Sequence, residues 1–356
     1  MIRSAYIHIP FCMSICSYCD FCKFYYNEKM VDEYLIALEK EIDKYYKGEE
    51  LTTVYIGGGT PSSLNIEQLT KLLDILNKFK TKDLEYTIEC NVENIDEDKL
   101  KLFKQYGINR ISIGIQSFNE HNIKYLNRNH TKEEAISKVN LVKQYFDNIN
   151  VDLIYALPNQ TLKDLEEDID IFISLDIPHI STYSLIIEPH TMLYNKHEEN
   201  IDDNLDYEMY KLICNKLKSY EHYETSNFGK NKSRHNLTYW NNEEYYGFGM
   251  GASGYIESIR YDNTKSFNEY INGKFRKEEI YQTDDMKIEN EFILGLRKIE
   301  GININQFYNK YGIDIKNIKG VNKLLEDGKL ILSKDYLYIP EAYWYLSNDI
   351  LINFIN

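Results

Sequence analysis

The chain has no stretch approaching the ~20 consecutive apolar residues of a membrane span, so a helical membrane protein is not the expected class. Its first residues, MIRSAYIHIPFC, hold no long apolar run before polar, cysteine-rich sequence begins. A secretory signal is therefore not expected, and a cytoplasmic location is. An excess of positive charge is missing too. Lys and Arg number 41 against 56 Asp and Glu, a formal net charge of −15, which disfavours nucleic acid or an anionic membrane as main partner. No internal repeat and no low-complexity tract stands out. What is left is a globular composition of 356 residues, 27% charged and 43% apolar. That length suits one large domain and a smaller one.

Short segments rich in β-branched and aromatic residues alternate with amphipathic ones, one pair roughly every 30 residues. The strand candidates are Ala5–Ile9, Thr53–Ile56, Tyr86–Cys90, Arg110–Ile115, Asn150–Tyr155 and Ile180–Ile186. Between them, Met30–Tyr46, Glu67–Phe79, Asp96–Tyr106, Lys132–Phe146 and Leu162–Ile173 repeat apolar residues at helical spacing. Six βα units in a row predict a parallel sheet, either doubly wound or curled into a full or partial barrel. In a barrel, functional residues gather at the C-terminal strand ends. The cysteine loop follows the first strand, Gly57-Gly58-Gly59-Thr60-Pro61 the second, Glu89 ends the third and Gln116 follows the fourth.

The alternation fades near Asn200. Lys218–Asn227 reads as a further strand region, and the segment after it as a loop rich in Asn, His and aromatics. From Tyr281 the pattern is helix (Asp284–Lys298), helix (Ile304–Tyr311), helix (Lys319–Asp327), hairpin (Leu330–Ile339) and a last helix (Ala342–Phe354). That order resembles a winged helix. Its nine Lys and Arg against eleven Asp and Glu form no basic stripe, which counts against DNA. The expected division is a barrel over 1–225, a connecting segment over 226–280 and a C-terminal unit over 281–356.

Four of the six cysteines, Cys12, Cys16, Cys19 and Cys22, lie within eleven residues. In a reducing compartment such crowding points to metal rather than to disulfides, which would close strained small loops. Three thiolates at this spacing suit an iron–sulfur cluster with one iron left open. A fourth from Cys22 would close the cluster, and four together could hold structural zinc. The glycine run is a weak signal by itself. It is no phosphate loop, because no Gly-Lys-Ser/Thr follows.

Cys12-x3-Cys16-x2-Cys19, with Tyr18 directly before the third cysteine, resembles the signature of the radical S-adenosylmethionine superfamily. YIHIPFC followed by SYCDF is similar, more narrowly, to the group of oxygen-independent coproporphyrinogen III oxidases and their heme-chaperone relatives. The resemblance implies an α/β fold: a partial (βα)6 TIM-like barrel with a small C-terminal winged-helix-like domain. It implies a [4Fe–4S] cluster on Cys12, Cys16 and Cys19 whose open iron chelates S-adenosylmethionine. Reductive cleavage then gives a 5′-deoxyadenosyl radical. Tyr18 would border the adenine, and Gly58, Gly59 and Thr60 would meet the methionine amino group. Tyr6, Glu89, Gln116, Arg128 and Asp152 match further cofactor contacts, and Ile186 an apolar wall. Without the resemblance each reads as an ordinary strand-end or core residue.

The resemblance runs on through YETSNFGK and YYGFGMGASGY into NEFILGLRKIEGI. His235-Asn236-x-x-Tyr239-Trp240 looks like the motif that marks the heme-chaperone, HemW-type branch and is tied there to heme. His can ligate heme iron, and Tyr and Trp can pack on a porphyrin face. Two functions follow. One is a heme chaperone whose partners are heme and an acceptor protein, a membrane-associated acceptor included. The other is the enzyme that oxidatively decarboxylates coproporphyrinogen III. That enzyme branch carries a further cysteine two residues past the third, where this chain has Phe21, and a longer segment before the cluster loop. Both departures favour the chaperone and an absence of coproporphyrinogen III dehydrogenase activity. A closed cluster would instead make an electron-transfer protein.

Overall fold

A computed structural model describes residues 2–355. Alternation along each strand decides its architecture. In β1 (Ser4–Ile9), Ala5, Ile7 and Ile9 are fully buried in the main core, while Tyr6 and His8 point to the opposite side. Core residues recur at every second position in β2 (Thr53–Gly58), β3 (Glu85–Asn91), β4 (Arg110–Gln116) and β5 (Asn148–Tyr155), and β6 (His179–Ser184) adds Ile180. Register keeps the rows aligned. Val54 pairs with Tyr86 and Ile88 with Ile111 on the apolar side; Glu89 pairs with Ser112 and Gly114 with Asp152 on the polar side.

β1 to β6 are parallel, and each neighbours the next in chain order. A doubly wound sheet would reverse at a switch point. Here the order never reverses, so right-handed crossovers place the connecting helices on one face. These are α1 (Glu28–Tyr45), α2 (Ile66–Leu76), α3 (Glu97–Tyr106), α4 (Lys132–Lys143) and α5 (Leu162–Ser174). Each starts at a side-chain cap: Asn27, Asn65, Asp96, Thr131 and Thr161 accept from backbone N–H groups of the first turn. The helices bury the aliphatic side, and the polar side curls around a lumen. This is the partial barrel that the resemblance implies.

Beyond β6 and α6 (Asp203–Lys216) the chain finishes both sheet edges. β7 (Glu221–Glu224) and β8 (Asn227–Gly229) add antiparallel strands beside β6. The expected loop at 234–240 is instead a helix, α7 (Arg234–Trp240), capped by Ser233. β9 (Tyr246–Phe248) pairs in parallel with β1 on the other edge, giving nine strands in all. A three-stranded antiparallel sheet follows, β10 (Ser253–Ile256), β11 (Ile259–Asn263) and β12 (Arg276–Tyr281), which the sequence pattern did not reveal.

The C-terminal unit has its own core around Phe292, Phe307, Leu337 and Phe354. Its helices α8 (Asp284–Gly295), α9 (Ile304–Tyr311) and α10 (Val321–Glu326) lie where helices are expected. The hairpin gains a third strand, Ile302–Asn303. The expected last helix is broken: only α11 (Ser347–Leu351) is α-helical, and Trp344 donates its indole N–H to the Ile339 carbonyl at 2.9 Å. Among the described residues no helix is long and apolar enough to cross a membrane.

Candidate functional site at the mouth of the barrel

The cysteine loop leaves β1 at the C-terminal mouth and is tied down at its ends and middle. Phe24 N–H donates to the Pro10 carbonyl at 2.6 Å and Tyr26 N–H to the Cys12 carbonyl at 2.8 Å. At mid-loop, Ser17 N–H donates to the Leu126 carbonyl at 3.2 Å, and Leu193 N–H donates to the Ser17 carbonyl at 3.0 Å. All four thiols of the loop are free.

They do not act as one set. Burial pushes the Cys12 thiol up to about 11, and the nearby Cys19 and Cys16 add to the rise. Cys19, raised by burial, likewise feels Cys16. Burial takes Cys22 up to about 11 as well, but the charges that reach it are Lys265 and Lys23, not the other thiols. Cys22 packs beside Gly251, where any side chain would overlap it. Cys12, Cys16 and Cys19 are thus electrostatic neighbours of one another, and Cys22 lies against Gly251. Among the described residues, no three His, Cys, Asp or Glu side chains are grouped to hold a single metal ion. A structural zinc needs four ligands converging at about 2.0–2.3 Å. Thiols spread along a loop fit a cluster, whose irons are themselves spread apart.

The surroundings offer a buried cation and close-approaching backbone beside those thiols. Arg128 is buried, donating to Cys16 Sγ at 3.2 Å, to Asn91 Oδ1 at 2.9 Å and to the Gly114 carbonyl at 2.5 Å. Its Nε has no partner, a free donor on a buried cation. Gly58 takes φ 110°, and a Cβ on Gly59 would lie 2.9 Å from the backbone of Ile9, Pro10 and Phe11. The glycine run thus lies against the cysteine loop as only glycine can. Thr60 N–H donates to the Phe11 carbonyl at 2.9 Å, and Asn91 Nδ2 to Thr60 Oγ1 at 3.1 Å.

Two carboxyls stand deeper in the lumen. Glu89 accepts from Tyr55 OH at 2.8 Å and from Gly58 N–H at 3.0 Å. Burial, and then the neighbouring Asp152, push it up to about 7. Asp152, raised by burial, accepts from Asn150 Nδ2 at 2.8 Å and from Ser112 Oγ at 3.2 Å. His8 Nε2 donates to the Cys22 carbonyl at 2.8 Å, so its Nδ1 accepts from Tyr6 OH at 3.0 Å. Gln116 closes β4 with φ 73°, a left-handed conformation costing a non-glycine residue roughly 1–2 kcal/mol. Tyr18 packs on the apolar group of Leu126, Ile154, Leu157, Leu185 and Leu193, and Ile186 is exposed just beyond β6. All of these expected cofactor residues lie on the loop, in the lumen or at its mouth.

The His235 motif lies elsewhere. α7 sits across the opposite end of the barrel, the floor, where β2, β3 and β4 begin. Glu85 accepts from Arg234 N–H at 3.0 Å and from His235 N–H at 2.9 Å, a carboxylate at the helix N-terminus. His235 is buried, with Nδ1 at 2.9 Å from Thr53 Oγ1 and Nε2 at 2.8 Å from Tyr239 OH. Burial, then the Arg110 charge, lower it to about 3, so it is neutral. Asn236 N–H bonds the Ser233 cap, and Trp240 lies under Arg297, 5.8 Å from the guanidinium. The residues that sequence reasoning missed, His8, Thr53, Tyr55, Glu85, Asn91 and Arg110, all lie in the lumen or on its floor and loop seams. Their one signal was the two-residue alternation of polar side chains within each strand.

The Radical SAM superfamily model matches residues 6–172, and the HemN C-terminal domain model matches residues 282–346. The heme chaperone HemW of Bacillus subtilis is 39% identical, with 99% of each chain covered. That of Lactococcus lactis is 37% identical over 99% of this chain and 97% of its own. Coproporphyrinogen III oxidase HemN from Escherichia coli superposes with a TM-score of 0.87, covering 99% of this chain and 90% of that one, at 22% identity, and so shares the fold. The chain belongs to the radical SAM superfamily and, within it, to the family of the heme chaperones HemW.

Proposed function

We propose that this protein is a heme chaperone that binds heme and hands it to an acceptor protein, built on a barrel that holds a [4Fe–4S] cluster and S-adenosylmethionine. The observation that carries the reading is likeness to heme chaperones from end to end, 39% identity over 99% of both chains. Cys12, Cys16 and Cys19 would hold the cluster. Gly58, Gly59, Thr60, Glu89, Arg128 and Asp152, with Tyr6, Tyr18, Gln116 and Ile186 around them, would hold S-adenosylmethionine. When bound, the pair supplies an open iron and a reducible sulfonium. The protein's own part is to exclude water, to compensate thiolate charge with Arg128 and to orient polar groups with the lumen carboxyls.

The loop also argues against decarboxylation. Phe21 stands 62% exposed where that enzyme branch has a cysteine, and Cys22 is turned toward Gly251. The test pairs two measurements on anaerobically reconstituted protein. Titration with hemin should give a saturable Soret change. Incubation with coproporphyrinogen III, S-adenosylmethionine and reductant should give no protoporphyrinogen. Product formation without saturable heme binding would overturn the reading in favour of the oxidase.

A further inference from the structure

His235 and Tyr239 face into the lumen, and the contacts they make lead toward its mouth. The His235 ring is stacked on Tyr55, with centroids 5.1 Å apart and planes at 27°. Tyr55 OH donates to Glu89 Oε1 at 2.8 Å, and Glu89 Oε2 accepts from Gly58 N–H at 3.0 Å. The Glu89 carboxyl also fills the space a Cβ on Gly57 would take, at 2.8 Å. Tyr6 stands 6.2 Å from Tyr55, centroid to centroid, on the neighbouring strand. One continuous line of contacts thus joins the floor helix to the glycine run beneath the cysteine loop. Nothing in that line leaves a nitrogen for iron. Both ring nitrogens of His235 are engaged, and the ring is closed in by Thr53, Tyr55 and Tyr239.

We propose that His235 and Tyr239 are positioning residues for the S-adenosylmethionine end of the lumen, acting through Tyr55 and Glu89, and are not heme-iron ligands. The inference rests on the reading that the lumen holds S-adenosylmethionine. Its physical content is the angle of one phenol. Without the imidazole beneath it, Tyr55 can tilt, and its bond to Glu89 Oε1 is one of the two that fix the carboxyl against Gly57 and Gly58. Groups that orient a metal-ligating side chain typically carry a tenfold or larger effect on affinity, and the same order is expected here.

The test uses the full chain with its cluster reconstituted. S-adenosylmethionine affinity is measured by equilibrium dialysis, and bound hemin by its Soret maximum and low-temperature EPR. His235→Ala and Tyr55→Phe should each raise the S-adenosylmethionine Kd about tenfold. The double variant should be no worse than either single one, because both cut the same line. Hemin bound to His235→Ala should keep the wild-type Soret position and EPR signature. If His235→Ala does not fold, Tyr239→Phe, which removes one hydroxyl and keeps the ring, should weaken S-adenosylmethionine binding in the same direction. A changed heme spectrum with unchanged S-adenosylmethionine affinity would make His235 an iron ligand and overturn the proposal. Multiplying effects in the double variant would overturn it too. Wild-type protein that binds no S-adenosylmethionine would remove the reading beneath it, a result distinct from variants that bind as wild type does.

Discussion

Cys22 lies three residues past Cys19, and its side chain is directed toward Gly251 and Lys265. Chain proximity does not make it part of the thiol set. Serine at Cys12, Cys16 or Cys19 should take reconstituted iron from about four per chain to well below one, with loss of the broad visible absorption. Cys22→Ser should keep both, and its loss of the cluster would mean that the fourth thiol closes it. Arg128 admits a second prediction. Lysine there keeps the charge but cannot reach Cys16, Asn91 and Gly114 from one planar fork. Arg128→Lys should weaken S-adenosylmethionine binding at least tenfold, read by the same dialysis. These cysteines were legible in the sequence because a loop's thiol spacing is local. His8, Tyr55 and Arg110 were not, because they become neighbours only when strands far apart in the chain pair.

At the scale of elements, α1 carries a buried carboxyl that joins it to distant strands. Glu41 accepts from Gly249 N–H at 2.8 Å, Tyr270 OH at 2.5 Å and Asn263 Nδ2 at 2.6 Å. Burial, partly offset by those bonds, raises Glu41 from its ordinary 4.5 to about 7. Between those values the native state holds a proton that the unfolded chain has released. The unfolded state binds fewer protons there, so this group's contribution to stability is full below 4.5 and falls as pH rises through 7. The urea midpoint of wild type should therefore fall across that window relative to Glu41→Gln. A constant difference would show that Glu41 does not titrate there. α1 to α5 were legible from apolar spacing and their caps. α7 was not: RHNLTYW mixes polar, β-branched and aromatic residues of modest helix propensity. It is made a helix by Ser233 and by Glu85, supplied from another strand. The strand Ile302–Asn303 is two residues long and has no periodicity to read.

The whole molecule has a main core and a separate C-terminal one, joined through Thr225 N–H to the Arg297 carbonyl at 3.1 Å and Ile299 N–H to the Tyr223 carbonyl at 3.1 Å. Leu337, fully buried among Phe292 and Phe307 in the second core, should cost about 2–5 kcal/mol as alanine. Hydrogen exchange should then speed up across 284–354 while β1 to β6 stay protected, unless the two cores melt as one unit. The open sheet has a consequence for how the chain is made. β1 leaves the ribosome well before its outer neighbour β9, which is more than two hundred residues downstream. At about 5–20 residues per second, that flank of the sheet stays bare for roughly ten to fifty seconds of every round of synthesis. A nascent strand with unpaired amides is a template for the wrong partner. The segment that completes the barrel is thus also the one that ends its period of greatest exposure to aggregation.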